Sequence, residues 1–170
     1  MMWNDTDTPL AYLITFRCYG TWLHGDGRGS VDRAHNRFGS PYIEADYRRL
    51  QRAAQALKSE PVLLDARRRE CVEAAVRETC ELRGRRLRAL NVRTNHVHIV
   101  ASIGTTPPGR ALNAFKANST RRLRQGGRWI QPHSPWVDKG SRRFLWNERS
   151  VERAVEYVNN GQGDELPEFD

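Results

Sequence analysis

Leu90-Asn91-Val92-Arg93-Thr94-Asn95-His96-Val97-His98-Ile99-Val100 is the stretch on which the fold of this chain turns. Val97, Ile99, Ala101 and Ile103 alternate with His96, His98, Val100 and Ser102, a period of two that predicts a strand with both histidines on one face. At roughly 3.3 Å of rise per residue, positions two apart lie about 6–7 Å apart at the backbone, close enough for two imidazoles to converge on one ion. Thr94-Asn95 suits a tight turn from a preceding strand, Arg86–Arg93, in which Leu87 and Ala89 alternate with arginines. The local expectation is a hairpin that delivers a His-X-His pair. Spacing alone is also compatible with an ordinary pair of core histidines, so the function of the pair has to be decided by what else the chain offers. A third histidine two residues on, as in histidine-triad hydrolases, is replaced by Val100. No second His-X-Ser/Thr element appears, as two-histidine phosphoesterases require.

Outward from that hairpin, the composition sets the class. The 170 residues suffice for one domain with a proper core, and the expected organisation is a single domain over 1–170 with a solvated acidic tail at 164–170. No apolar run approaches the roughly eighteen residues of a membrane span, and no signal segment opens the chain, so the expected location is cytoplasmic, with the nucleoid. Cys18, Cys71 and Cys80 are odd in number and widely spaced, which suggests neither a disulfide framework nor a zinc site. The net charge is +8, and all but three of the 28 basic residues are arginine, lysine occurring only at 58, 116 and 139. Arginine suits bidentate phosphate contact and stacking on bases. A GC-rich genome also favours arginine over lysine, but it does not account for the excess of positive charge, which points to a polyanionic partner.

The remaining segments fall around the hairpin in a simple order. Leu10–Phe16 is almost continuously apolar, as expected of a central strand covered on both faces. Arg17–Ser30 is a glycine-punctuated loop in which Arg17, Tyr19 and Trp22 are candidates for phosphate contact and base stacking. Glu44–Lys58 reads as a helix ended by Pro61. Asp65 reads as the N-cap of a longer helix to about Leu82 with Val72, Ala75, Val76 and Thr79 inward. A third helix runs from Gly109 to about Arg124; Leu112, Phe115 and Leu123 face inward, and Arg110, Lys116, Arg121, Arg122 and Arg124 form a one-sided basic face suited to tracking phosphates. Arg142–Trp146 reads as a fourth strand. Asn147 or Ser150 caps a last helix to Asn160, with Tyr157 beside its apolar stripe. This order predicts an α+β fold: a ferredoxin-like split βαβ with a four-stranded antiparallel sheet, its first and third strands central, and an additional C-terminal helix that carries the tyrosine.

Asn95-His96-Val97-His98 resembles the HUH motif, and Ala154-Val155-Glu156-Tyr157-Val158-Asn159-Asn160 resembles the tyrosine helix of single-tyrosine HUH transposases of the insertion-sequence 200 type, in particular the REP-associated tyrosine transposases. The likeness extends over most of the chain: an N-terminal strand followed by Tyr19-Gly20-Thr21-Trp22-Leu23, the HUH strand, a basic helix, a Trp-containing link, a strand and the tyrosine helix. The resemblance implies that His96 and His98 hold a divalent metal, magnesium or manganese, that Tyr157 is the nucleophile, and that single-stranded or hairpin DNA is the partner of a monomer or homodimer. In relatives a third ligand comes from an amide side chain four residues after the tyrosine; here that position is Gly161, and Gln162 is favoured over Asn160 to replace it. The reaction implied is metal-dependent cleavage and transfer of a DNA strand through a 5′-phosphotyrosine intermediate. Two other readings compete: a non-catalytic nucleic-acid-binding module with a degenerate site, and a nickase of the replication-initiator or relaxase kind.

Overall fold

The computed structural model describes residues 7–21 and 47–161. Four strands, β1 (Ala11–Arg17), β2 (Arg86–Val92), β3 (His96–Ser102) and β4 (Ser141–Leu145), form one sheet in the order β2-β3-β1-β4. Every neighbouring pair is antiparallel. Helices α1 (Tyr47–Gln55) and α2 (Ala66–Leu82) lie between β1 and β2, α3 (Pro108–Gln125) between β3 and β4, and α4 (Glu148–Asn160) follows β4. The split βαβ topology with β1 and β3 central and a further C-terminal helix is therefore the expected one, and α1 adds a second helix to the β1–β2 crossover.

Strand alternation divides the molecule into two layers. Tyr12, Ile14 and Phe16 of β1 and Val97, Ile99 and Ala101 of β3 turn to one face, where they pack with Val72 and Val76 of α2 and Leu112, Phe115 and Leu123 of α3. Ala11, Leu13 and Val100 turn to the other face and meet Val151, Ala154, Tyr157 and Val158 of α4. Both central strands are thus apolar on both sides, which explains the nearly unbroken apolar run of β1. Gly140 allows β4 to close against β1: a Cβ there would lie 2.6 Å from the carbonyl oxygen of Thr15.

The helix ends follow the chemistry of their caps. Asp65 accepts a 2.8 Å hydrogen bond from the backbone N–H of Arg68 at the start of α2. Of the two candidates for capping α4, Asn147 holds the position: its side chain accepts from the N–H of Ser150 at 2.9 Å and from the Ser150 hydroxyl at 3.0 Å. Other boundaries differ from expectation. Within the described residues α1 starts at Tyr47, ends at Gln55 rather than Lys58 and buries none of its side chains. The register of β2 against β3 shifts between Leu87 and Ala89, so Arg88 sits in a bulge and the simple alternation with arginines is broken there. The long link between α3 and β4 is anchored by Trp136, which packs edge-to-face on Phe16 with ring centroids 4.9 Å apart. Its indole N–H donates to the Lys116 carbonyl and to Thr120 Oγ1.

Candidate active site

The hairpin turn is fixed before the histidines begin. The N–H of Cys18 donates to the carbonyl of Asn95 at 2.8 Å, and that of Leu64 donates to the carbonyl of Thr94 at 2.7 Å. The start of β3 is thereby tied to the end of β1 and to the approach to α2. From this anchored start, β3 turns His96 and His98 to the face covered by α4, with ring centroids 4.7 Å apart and planes at 72°.

Each ring is held through its Nδ1. Thr15, which pairs with His98 in the β1–β3 register, brings its Oγ1 to 2.8 Å from His98 Nδ1. Asn95 places its side-chain oxygen 2.6 Å from His96 Nδ1. An amide oxygen only accepts, so His96 donates from Nδ1, in its Nδ1–H tautomer. A hydroxyl beside His98 Nδ1 is compatible with the same tautomer. Metal-binding histidines are typically oriented in this way, with one nitrogen on an oxygen partner and the other turned to the ion. His98 is 4% exposed, and burial, with the nearby charges of His96 and Arg93, pushes its pKa down to about 3. It therefore remains a neutral imidazole at any physiological pH.

Tyr157 arrives from α4 on the same face. It is 8% exposed, and its ring centroid lies 5.4 Å from that of His98 with an interplanar angle of 72°. Tyr157 belongs to the buried stripe of α4 rather than lying beside it, because the helix sits on the sheet at the level of Val100 and the histidines. On β2, Asn91 is paired directly with His98, and its side-chain amide donates to the carbonyl of Val158 at 3.0 Å. Arg17 is paired with His96 at the end of β1. The structure thus brings His96, His98, Tyr157 and Arg17 to one end of one sheet face.

The other predicted residues are placed elsewhere. Arg110, Lys116, Arg121, Arg122 and Arg124 lie on α3, which packs on the opposite face of the sheet, so they do not line the histidine site. Lys116 is half-buried, donating to the carbonyls of Val137 and Lys139 at 2.7 and 2.9 Å, and burial lowers its pKa. Arg122 pairs with Glu78 at 2.8 Å, and Arg124 donates to the carbonyls of Gln131 and Pro132, whereas Arg110 and Arg121 are exposed. Tyr19 packs against the α2–α3 layer, its hydroxyl accepting from the N–H of Lys58 at 2.9 Å. Trp22 and Gln162 lie outside the described residues. Asn160 turns outward, its amide donating to Glu156 at 3.0 Å, while Gly161 caps α4 through its N–H on the Tyr157 carbonyl.

Thr15, Asn91 and Asn95 escape a reading of the sequence. Asn95 could have been found as the residue adjoining His96. Thr15 and Asn91 face His98 only through strand register, which no local pattern encodes. The paired imidazoles fit a divalent ion in donor type. Among the described residues no group of three His, Cys, Asp or Glu side chains surrounds such an ion.

An antiparallel split βαβ sheet that presents two histidines and a helix-borne tyrosine on one face defines a class, and the sequence comparison agrees with it. A family model described as "Transposase IS200 like" matches residues 54–160, and the chain belongs to that family of transposases. Among solved structures, a REP-associated tyrosine transposase bound to a REP hairpin is similar with a TM-score of 0.52 at 9% identity, covering 93% of this chain and 67% of that one. A protein of Deinococcus radiodurans R1 described as a candidate transposase gives a TM-score of 0.46 at 14% identity, covering 94% of this chain and 96% of that one. No curated protein matches the chain.

Proposed function

We propose that this transposase-family chain is a metal-dependent single-strand DNA endonuclease and strand transferase that acts on hairpin-forming DNA through Tyr157. The observation that carries the reading is the convergence of the tyrosine and the histidine pair, with the Tyr157 ring 5.4 Å from that of His98. A phenol has a pKa near 10, so only about one in a thousand is ionised at neutral pH, and it attacks phosphorus poorly unaided. A divalent ion held by His96 and His98, magnesium or manganese, would supply the missing electrophilic assistance by drawing charge from the scissile phosphate. Nδ1 contacts to Thr15 and Asn95 orient the two rings for that task, and Arg17, at the same end of the face, adds positive charge where a phosphate would sit. The Tyr157 oxygen forms the new bond to phosphorus, the bond to the 3′ oxygen breaks, and the phenolic proton is lost to water while the leaving 3′ oxygen takes one up. The products are a 5′-phosphotyrosine and a free 3′-hydroxyl. Bond energy is conserved, so the strand can be rejoined elsewhere without ATP.

Hairpin DNA as the substrate is supported by the likeness to a hairpin-bound relative and by the +8 charge of the chain. A single-stranded site is favoured on chemical grounds as well, because in-line attack by a side chain needs an exposed phosphate. With Gly161 at the position of the relatives' third ligand, the ion would depend on the two imidazoles, Gln162, water and DNA phosphate, and manganese would bind these nitrogens more tightly than magnesium. Incubation of the protein with a labelled hairpin carrying a single-stranded flank is expected to give a covalent adduct that needs Mn²⁺ or Mg²⁺ and is abolished by chelator. Tyr157→Phe is expected to remove the adduct while hairpin affinity stays within about twofold. An adduct that survives in Tyr157→Phe would refute the assignment. Full hairpin binding without metal uptake or adduct in the wild type would favour the non-catalytic reading.

A further inference from the structure

We propose that Asn91 is a positioning residue: by holding the carbonyl of Val158, it sets where Tyr157 stands over the histidine pair. Asparagine is a poor strand former, yet here it occupies the α4 face of β2 at the position paired with His98. Its amide donates at 3.0 Å to a carbonyl in the last turn of α4. The bond joins the strand next to His98 to the residue next to Tyr157.

Much of the α4 interface with the sheet is apolar. Ala11, Leu13, Ala89 and Val100 meet Val151, Ala154 and Val158 through apolar contact. Such contact holds the helix to the sheet but is non-directional and permits small slides and rotations. A hydrogen bond is directional, and this one lies at the catalytic end of the helix, whereas the Asn147 cap lies at the other. Successive residues of a helix are separated by about 1.5 Å of rise, so fixing Val158 fixes Tyr157 almost as closely. Misplacement of a reacting group by about 1 Å can lower a rate by around a hundredfold, which gives a single bond at this place its leverage.

The role of Asn91 in the reaction rests on the proposed function of Tyr157, but the placement of the ring does not, and the test separates them. Three full-length variants are compared with the wild type: Asn91→Leu, which keeps size and loses the donor; Asn91→Asp, which keeps shape and turns an acceptor to the carbonyl; and Asn91→Gln, which keeps a donor. Each is also made with 3-fluorotyrosine at position 157 alone. In fluorine NMR without DNA or metal, the wild type is expected to give one resonance displaced from that of free fluorotyrosine by the His98 ring. Asn91→Leu and Asn91→Asp are expected to move it toward the free position or broaden it, and Asn91→Gln to restore most of the displacement. In single-turnover assays at saturating hairpin, adduct formation is expected to fall at least tenfold in the Leu and Asp variants, with the Kd for hairpin within twofold and recovery in Gln. A fluorine resonance unchanged in both Leu and Asp overturns the proposal, as does a lowered Tm with the resonance of the folded protein unmoved. If the wild type forms no adduct, the nuclease reading fails while the fluorine spectra still decide the role of Asn91.

Discussion

At His98, placement and protonation pull against each other. Setting an imidazole at the centre of a sheet under a helix removes water from it, and the ring stays neutral down to about pH 3. In the unfolded chain the same ring takes up a proton near pH 6.5. Its contribution to stability is therefore complete above pH 6.5 and is lost as the pH falls from 6.5 toward 3, because over that range only the unfolded state binds the proton. Between pH 7 and pH 5 the loss amounts to about 2 kcal/mol. Urea unfolding at the two pH values should show it in the wild type, and His98→Gln should remove most of that slope; an equal slope in the variant would mean that other groups carry it. Cys18 meets the same burial with the opposite sign, its thiol pushed up to about 12 and so kept unreactive. Among individual residues, the shared face of the histidine pair could be read from its spacing, and Tyr157 from its likeness to the tyrosine helix of the family. Thr15 and Asn91 could not, since their importance comes from lying across a strand boundary from His98.

Among the elements, α4 depends most visibly on a single side chain. Asn147 caps it with two hydrogen bonds, from the backbone and the hydroxyl of Ser150, and Ser150 is itself buried. Asn147→Ala is expected to destabilise the protein by about 1 kcal/mol, and Asn147→Asp to retain most of the stability, as read from denaturant midpoints at unchanged slope. No change in Asn147→Ala would mean that packing alone starts the helix. The helices and strands were largely legible because caps and periodicity are local: Asp65, the stripe of α2 and the alternation of β3 each announce themselves. The bulge at Arg88 was not, because a register shift arises from how β2 fits β3 rather than from either sequence alone. The end of α1 was misjudged for a related reason, since a surface helix that buries nothing has no packing partner to fix its limits.

For the molecule as a whole, the sheet separates the basic helix from the proposed site. α3 carries its arginines behind the sheet, while the histidines and Tyr157 occupy the front. DNA that uses both surfaces must pass around an edge, so the contributions of the two should be separable. Replacing the exposed Arg110 and Arg121 by alanine is expected to weaken hairpin binding several-fold and to flatten the dependence of log K on log salt, while adduct formation at saturating DNA stays within about twofold. Loss of the saturated rate in that variant would show that the rear surface takes part in the chemistry. The overall topology was foreseeable from the order of elements, whereas the side of the sheet on which each helix packs had to come from the fold.

The two layers also differ in when they can form. Every element of the α2–α3 layer precedes β4 in the chain, whereas the opposite layer waits for Glu148–Asn160. As the polypeptide emerges during translation, the sheet can already be closed on its rear side while the imidazole rings still face water. The cover over the imidazole rings thus comes from the last helix in chain order.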